Sequence, residues 1–231
     1  MKKPYLKKYA GLKGFTVWIV DGKYIRSNLD EEFTNCGQHY GFRFIPKNEF
    51  WIDRERASGE EKYYIDSMLS MNYLKSKGVS QDKAVKISDA LEIKERRKSK
   101  FFNNLKLNKK KSSDVLHKIH LKLLYMYPGK IKVWMVNGEI VRDIYFIDFT
   151  EGGHDKLYKF IPKNEIWIDN DISDSEINFI LLHELHERYL MSRGWNYERA
   201  HKDSSSIEYY CRNHPRKLNA CLREEIRKNV L

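Results

Sequence analysis

The chain has 231 residues, 41% hydrophobic and 13% aromatic, enough for one large or two small packed domains. No apolar run approaches the roughly 20 residues needed to cross a bilayer, and Met1-Lys2-Lys3-Pro4 does not open a signal peptide. Cys36, Cys211 and Cys221 make no disulfide framework, so a cytoplasmic protein is expected (host cytoplasm if phage-encoded), with no membrane partner.

The formal net charge is +11, yet eight positive residues fall between Arg96 and Lys111 with no acid among them. Nucleic-acid contact therefore rests on that segment, above all on Lys109, Lys110 and Lys111, and a solvated linker is the plainer reading.

In chain order the decisive feature is self-similarity. Val17-Trp18-Ile19-Val20-Asp21-Gly22 matches Val133-Trp134-Met135-Val136-Asn137-Gly138, an offset of 116 that then holds without a gap. Arg26 falls on Arg142, and Phe44-Ile45-Pro46-Lys47-Asn48-Glu49 on Phe160-Ile161-Pro162-Lys163-Asn164-Glu165. Trp51-Ile52-Asp53 falls on Trp167-Ile168-Asp169. The expectation is an α+β chain, a tandem duplication of a small antiparallel β-meander followed by a helical hairpin. Residues 1–97 are the first repeat, 98–112 a basic linker and 113–231 the second repeat, with the two repeats pairing within the chain.

Within a repeat, Asp21-Gly22 and Asn137-Gly138 predict hairpin turns. An aromatic strand to Ile45 or Ile161 and a short strand to Asp53 or Asp169 follow. Residues 113–126 read as a helix stopped by Pro128-Gly129. Ser173-Asp174-Ser175-Glu176 predicts a capping box for a helix running to Met191 and stopped at Gly194. Asn196 is positioned to cap the next helix, which must end before Pro215, and Lys217 to Val230 forms a last amphipathic segment.

The first of these helices carries Leu182-His183-Glu184-Leu185-His186-Glu187-Arg188. At 100° per residue, Ile180, His183, Glu184, Glu187 and Met191 share one stripe, and ionisable groups in an apolar stripe are costly unless something binds them. His183 and Glu187 stand at the i, i+4 spacing of paired ligands in zinc helices, and His201 on the next helix completes a two-histidine, one-carboxylate set that leaves a position for water. Glu208, seven residues beyond His201, is a fourth ligand or a group orienting a ligand. Glu184 holds the place of the general base in zinc helices of this kind. His186 lies off the stripe. Arg142, Arg188 and His154 are candidates for substrate or anion contact, and Cys211 reads as a core thiol. The implied cofactor is a divalent metal, zinc first, with manganese or iron also suited to mixed histidine and carboxylate ligands.

The duplication is an internal control. Opposite His183, Glu184, Glu187 and His201 the first repeat has Ser67, Met68, Met71 and Val85, whereas Glu92 matches Glu208. The first repeat therefore reads as a degenerate, metal-free domain, and residues shared by both copies read as scaffold.

The pattern His183-Glu184-x-x-Glu187, then Tyr197-Glu198-Arg199-Ala200-His201, then Glu208, resembles a group of uncharacterised bacterial and phage proteins with an H-E-x-x-E, Y-x-x-A-H and later glutamate. It covers about the last third of the chain and implies a metal-binding, metallopeptidase-like helical hairpin. The functional expectation is a metal-dependent hydrolase of unknown substrate. The alternative is a non-catalytic, metal-stapled protein whose basic linker contacts nucleic acid or an acidic partner.

Overall fold

The structure is a computed structural model that describes residues 4–12, 14–55, 59–99, 102–103, 112–128 and 131–230. Most of the basic linker, including Lys109, Lys110 and Lys111, lies outside these residues.

The protein is α+β, with two four-stranded sheets each followed by helices. In the first repeat these are β1 (Tyr5–Leu12), β2 (Phe15–Val20), α1 (Gly22–Asn28), β3 (Cys36–Gln38), β4 (Glu49–Asp53), α2 (Glu61–Ser76) and α3 (Gln81–Arg96). A helix, α4 (Ser112–Ile119), leads into β5 (His120–Tyr127), β6 (Ile131–Val136), α5 (Gly138–Ile144), β7 (Gly152–His154) and β8 (Glu165–Asp169). Then come α6 (Ile177–Ser192), α7 (Tyr197–Asn213) and α8 (Leu218–Val230).

The sheets run β1-β2-β4-β3 and β5-β6-β8-β7, and they are mixed rather than wholly antiparallel. The central pairs are parallel, in register at Trp18↔Trp51 and Trp134↔Trp167, while the outer strands pair antiparallel.

The parallel pair explains why the hairpin reading of Asp21-Gly22 fails. A parallel neighbour requires a crossover, so the chain turns into α1, and the Asp21 carboxylate caps that helix by accepting from the Tyr24 N–H at 3.1 Å. Glycine is needed because a Cβ on Gly22 would fall 1.6 Å from Asp53 Oδ2, and one on Gly138 would fall 2.1 Å from Asp169 Oδ1. Three further expectations are corrected. No strand ends at Ile45 or Ile161, where the chain makes turns. Residues 113–126 divide between α4 and β5, because alternating Leu121, Leu123 and Tyr125 suit an edge strand. The capping box does not form, since α6 starts at Ile177 and Ser173 Oγ bonds Ser175 Oγ.

The chain forms two compact units. One comprises Met1–Ser112 with Glu139–Asp148, the other Ser113–Gly138 with Phe149–Leu231. A ten-residue stretch of the second repeat, most of α5 included, thus packs with the first. There Arg142 donates to both oxygens of the buried Glu60, and Arg96 and Ser99 reach Asp143. In the first unit Val17, Ile19, Phe50 and Ile52 meet Tyr64, Ile65 and Met68 of α2. In the second, Ile131, Val133, Ile166 and Ile168 meet Ile180, Leu181 and Leu185 of α6, with Cys211 and Leu222 beyond. Central strands buried on both faces account for their nearly continuous apolar sequence. Among the described residues no helix is long and apolar enough to cross a membrane.

Candidate metal centre

Helix α6 is buried along most of its length and on more than one side, against the sheet, α7 and α8. Its ionisable residues therefore need partners inside the fold. Arg188 donates from Nε to Asp155 at 2.7 Å and reaches Asn164 and Asn229. His186 Nε2 bonds Asp203 at 2.9 Å, and its Nδ1 lies 3.1 Å from Glu225 as an ion pair without hydrogen-bond geometry, so the ring sits between α7 and α8. Neither is free for a substrate anion. Arg142, buried against Glu60 in the first unit with no side-chain exposure, is not free either. Both arginines, named as candidates for anion contact, are buried in ion pairs, Arg142 with Glu60 and Arg188 with Asp155.

His183, Glu187 and His201 converge. His183 Nε2 lies 3.1 Å from His201 Nδ1, His201 Nδ1 lies 3.0 Å from Glu187 Oε2, and the third edge, His183 Nε2 to Glu187 Oε2, is 3.6 Å. Ligand atoms about 2.0–2.2 Å from a tetrahedral ion stand roughly 3.4 Å apart, so this triangle has the dimensions of three sites on one ion. His183 and Glu187 come from successive turns of α6, and His201 from the start of α7, where Asn196 caps the helix. The side chain of His201 is 32% exposed, so access is from its side.

Behind each of the two buried members of the triangle, His183 and Glu187, stands a second group. Glu208 Oε2 accepts from His183 Nδ1 at 2.9 Å, which turns Nε2 toward the triangle. Glu208 Oε1 is held by Arg212, whose Nη1 also reaches the buried Glu176 at 2.6 Å. With both oxygens engaged, Glu208 fits the orienting role rather than a fourth ligand. His154 Nε2 lies 3.0 Å from Glu187 Oε1, while its Nδ1 accepts the backbone N–H of Lys156 and Leu157. That fixes the tautomer: Nδ1 is bare, Nε2 carries the proton, and the ring donates to Glu187. In this tautomer His154 donates to Glu187 and holds it, and His154, Glu184 and Glu187 form a second buried cluster whose ligand atoms lie within 4.8 Å of one another.

Glu184 is the exception. Its Oε2 is buried without a hydrogen-bond partner, and a carboxylate oxygen of Glu184 lies within 4.8 Å of one on Glu187. Room for it is left by Gly152, where a Cβ would stand 3.0 Å from Glu184 Oε1.

The electrostatics follow this arrangement. Burial, then the neighbouring Glu187 charge, pushes Glu184 up to about 8. Burial also opposes ionisation of Glu187, but hydrogen bonds from His154, His183 and His201 hold it far below the usual carboxylate range. For His183 burial acts downward and is outweighed by Glu187 and Glu208, which raise it well above an ordinary imidazole. Burial depresses His154, in keeping with its neutral tautomer. Protonated His183 and Arg212 balance Glu187 and Glu208 in the metal-free protein, and the donor set of His183, Glu187 and His201 is of the kind that holds a divalent ion.

No family model, no curated protein and no solved structure matches the chain. The reading of the site therefore rests on its geometry and on the comparison between the two repeats.

That comparison shows what sequence reasoning missed. Glu60, Glu92 and Arg96 repeat the triad of Glu176, Glu208 and Arg212, with Arg96 2.6 Å from Glu60 and 2.9 Å from Glu92. Glu208 is retained in both copies because it neutralises a structural arginine, and in the second repeat its free oxygen also serves His183. The signal was available in the offset of 116, which pairs Glu60 with Glu176 and Arg96 with Arg212. The same triad corrects the count of the basic segment, since Arg96 points inward and is fully buried.

Proposed function

We propose that the second repeat is a mononuclear metal-dependent hydrolase with His183, Glu187 and His201 as ligands and Glu184 as general base. The observation that carries this reading is the pairing of a ligand-sized triangle with a buried, unpartnered carboxylate beside it. Other buried carboxylates with one unbonded oxygen, Glu55 and Glu225, face a cationic or histidine side chain through an ion pair, whereas Glu184 has no such pair among the described residues and stands beside the triangle. Its carboxyl is raised by burial and by the charge of Glu187, and groups perturbed in this way gather at functional sites.

A divalent ion held by His183, Glu187 and His201, zinc first, would supply a water of lowered pKa and polarise the scissile carbonyl or phosphoryl oxygen. The chain's own residues do the rest. Glu184 takes the proton of the attacking water and passes it to the leaving group. His154 fixes the rotamer of Glu187, and Glu208, held by Arg212, fixes the ring of His183. Gly152 keeps the sheet edge clear of Glu184. The resemblance to metallopeptidase-like helices points to an acyl bond before a phosphoryl one.

The test has two layers. Purified protein is expected to hold one equivalent of metal, lost in His183→Ala; stoichiometric metal in that variant removes the site. Glu184→Gln is expected to keep its metal and lose turnover of a fluorogenic peptide library. Because the ligands join α6 to α7, a purely stapling ion is the second reading, and unchanged behaviour of Glu184→Gln in every assay would favour it.

A further inference from the structure

The first repeat has lost the four groups at the candidate site, but it has not filled the space. Ser67, Met68, Met71 and Val85, the counterparts of His183, Glu184, Glu187 and His201, line a cavity of about 230 Å³ together with Phe42, Ser88 and Asp89. The void sits at the place in the first repeat that matches the triangle in the second. A cavity of about 150 Å³ already accommodates benzene, so this one takes a compact organic molecule rather than a bare ion.

Its chemistry is split. Phe42, Met68, Met71 and Val85 give an apolar, polarisable lining, and thioethers make favourable contacts with aromatic ring edges. The polar end is supplied by Ser88 and Asp89. Ser88 is 2% exposed and its hydroxyl has no hydrogen-bond partner. The corresponding Ser204 bonds the Ala200 carbonyl of its own helix at 2.9 Å, so the orphaned Ser88 hydroxyl is a departure from its counterpart. Asp89 stands where the second repeat has Ser205, adding a carboxylate to the cavity wall.

We propose that the first repeat binds a compact aromatic amine, its ring among Phe42, Met68, Met71 and Val85 and its ammonium on Asp89 and Ser88. Burial, followed by the charges of Asp148 and Glu92, lifts Asp89 to about 6, and a cation beside it relieves that repulsion. The inference concerns the first unit alone and stands whether or not the second holds a metal.

The experiment is a titration of the full chain at pH 8 with benzylamine, benzyl alcohol and toluene, followed by ligand-observed NMR. The expected order of affinity is benzylamine, benzyl alcohol, toluene. Asp89→Asn should weaken benzylamine by about tenfold or more while leaving benzyl alcohol nearly unchanged, the loss typical of a hydrogen bond to a charged partner. Val85→Phe, which fills the void, should abolish binding of all three. Absence of binding by all three ligands, equal affinity for benzylamine and toluene, or indifference to Asp89→Asn would each overturn the proposal.

Discussion

Glu208→Gln separates a ligand from an orienting group. Glutamine keeps the size of the side chain and an oxygen to accept from His183 Nδ1, now 2.9 Å away. What it removes is the charge that makes His183 a better donor toward the triangle. Loss of such a carboxylate behind a histidine ligand typically lowers metal affinity by roughly 10–100-fold, about 1.4–2.7 kcal/mol. Arg212 also loses charge-assisted bonds of 2.6 and 2.9 Å, so the metal-free protein should lose a further ~1.5–3 kcal/mol of stability. The assay is cobalt(II) titration read by visible absorption, with urea unfolding of the metal-free protein alongside. The band positions should match wild type, since the three ligand atoms are unchanged, while the dissociation constant rises. A changed cobalt spectrum would make Glu208 a ligand after all, and an unchanged dissociation constant would show that its hold on His183 is irrelevant to binding.

Asp155→Asn tests the buried pair with Arg188 and should cost about 1.5–3 kcal/mol at pH 7. Burial opposes ionisation of Asp155, but the Arg188 and Asn164 hydrogen bonds hold it below the usual carboxylate range, so its contribution is present above about pH 4 and fades as pH falls through the folded value. Urea unfolding at pH 7 and pH 3 should show the full penalty at pH 7 and a smaller one at pH 3. If the basic segment binds nucleic acid, neutralising Lys109, Lys110 and Lys111 should flatten the salt dependence of single-stranded DNA binding by about two to three in log–log slope, and binding insensitive to salt would dismiss that partner. A fragment of residues 113–231 carries Arg142 and Asp143 without Glu60 and Arg96, and breaking such buried pairs typically costs about 3–5 kcal/mol, so a fragment as stable as the full chain would contradict the partition of Glu139–Asp148 into the first unit.

The parts legible in the sequence were those set by local spacing or by repetition. The duplication, the α+β class, the helix containing His183 and Glu187, and the Asn196 cap need only periodicity and matched residues. Pairing direction was not legible. An Asp-Gly after an alternating run suits both a hairpin and a helix start, and what decides is Asp53, distant in sequence, which occupies the space a Cβ at position 22 would need. The triangle was readable because i, i+4 geometry is local. The roles of His154, Gly152 and Glu176 were not, since each depends on a strand or loop meeting α6 or α7 across the fold. The destination of Glu139–Asp148 is a matter of packing between distant segments, which no spacing rule encodes.

If the candidate site is as argued, it should be portable to the first repeat. The Glu60–Arg96–Glu92 triad is still there, leaving Glu92 in the place that Glu208 takes behind His183. Restoring the inner groups requires Ser67→His, Met68→Glu, Met71→Glu and Val85→His, with Gln38→His to set the new carboxylate at 71. Cys36→Gly is required as well, because at the matching position a Cβ on Gly152 would press to 3.0 Å from Glu184 Oε1. The metal-free variant should be less stable than wild type, since it buries new ionisable groups without compensation. Zinc should recover that loss by mass action, and the bound metal should rise from one equivalent to two. Retaining Cys36 should weaken the second site. A stoichiometry that stays at one in the full set of six replacements would mean that the triangle, the triad and the two supporting residues are not sufficient to make the centre.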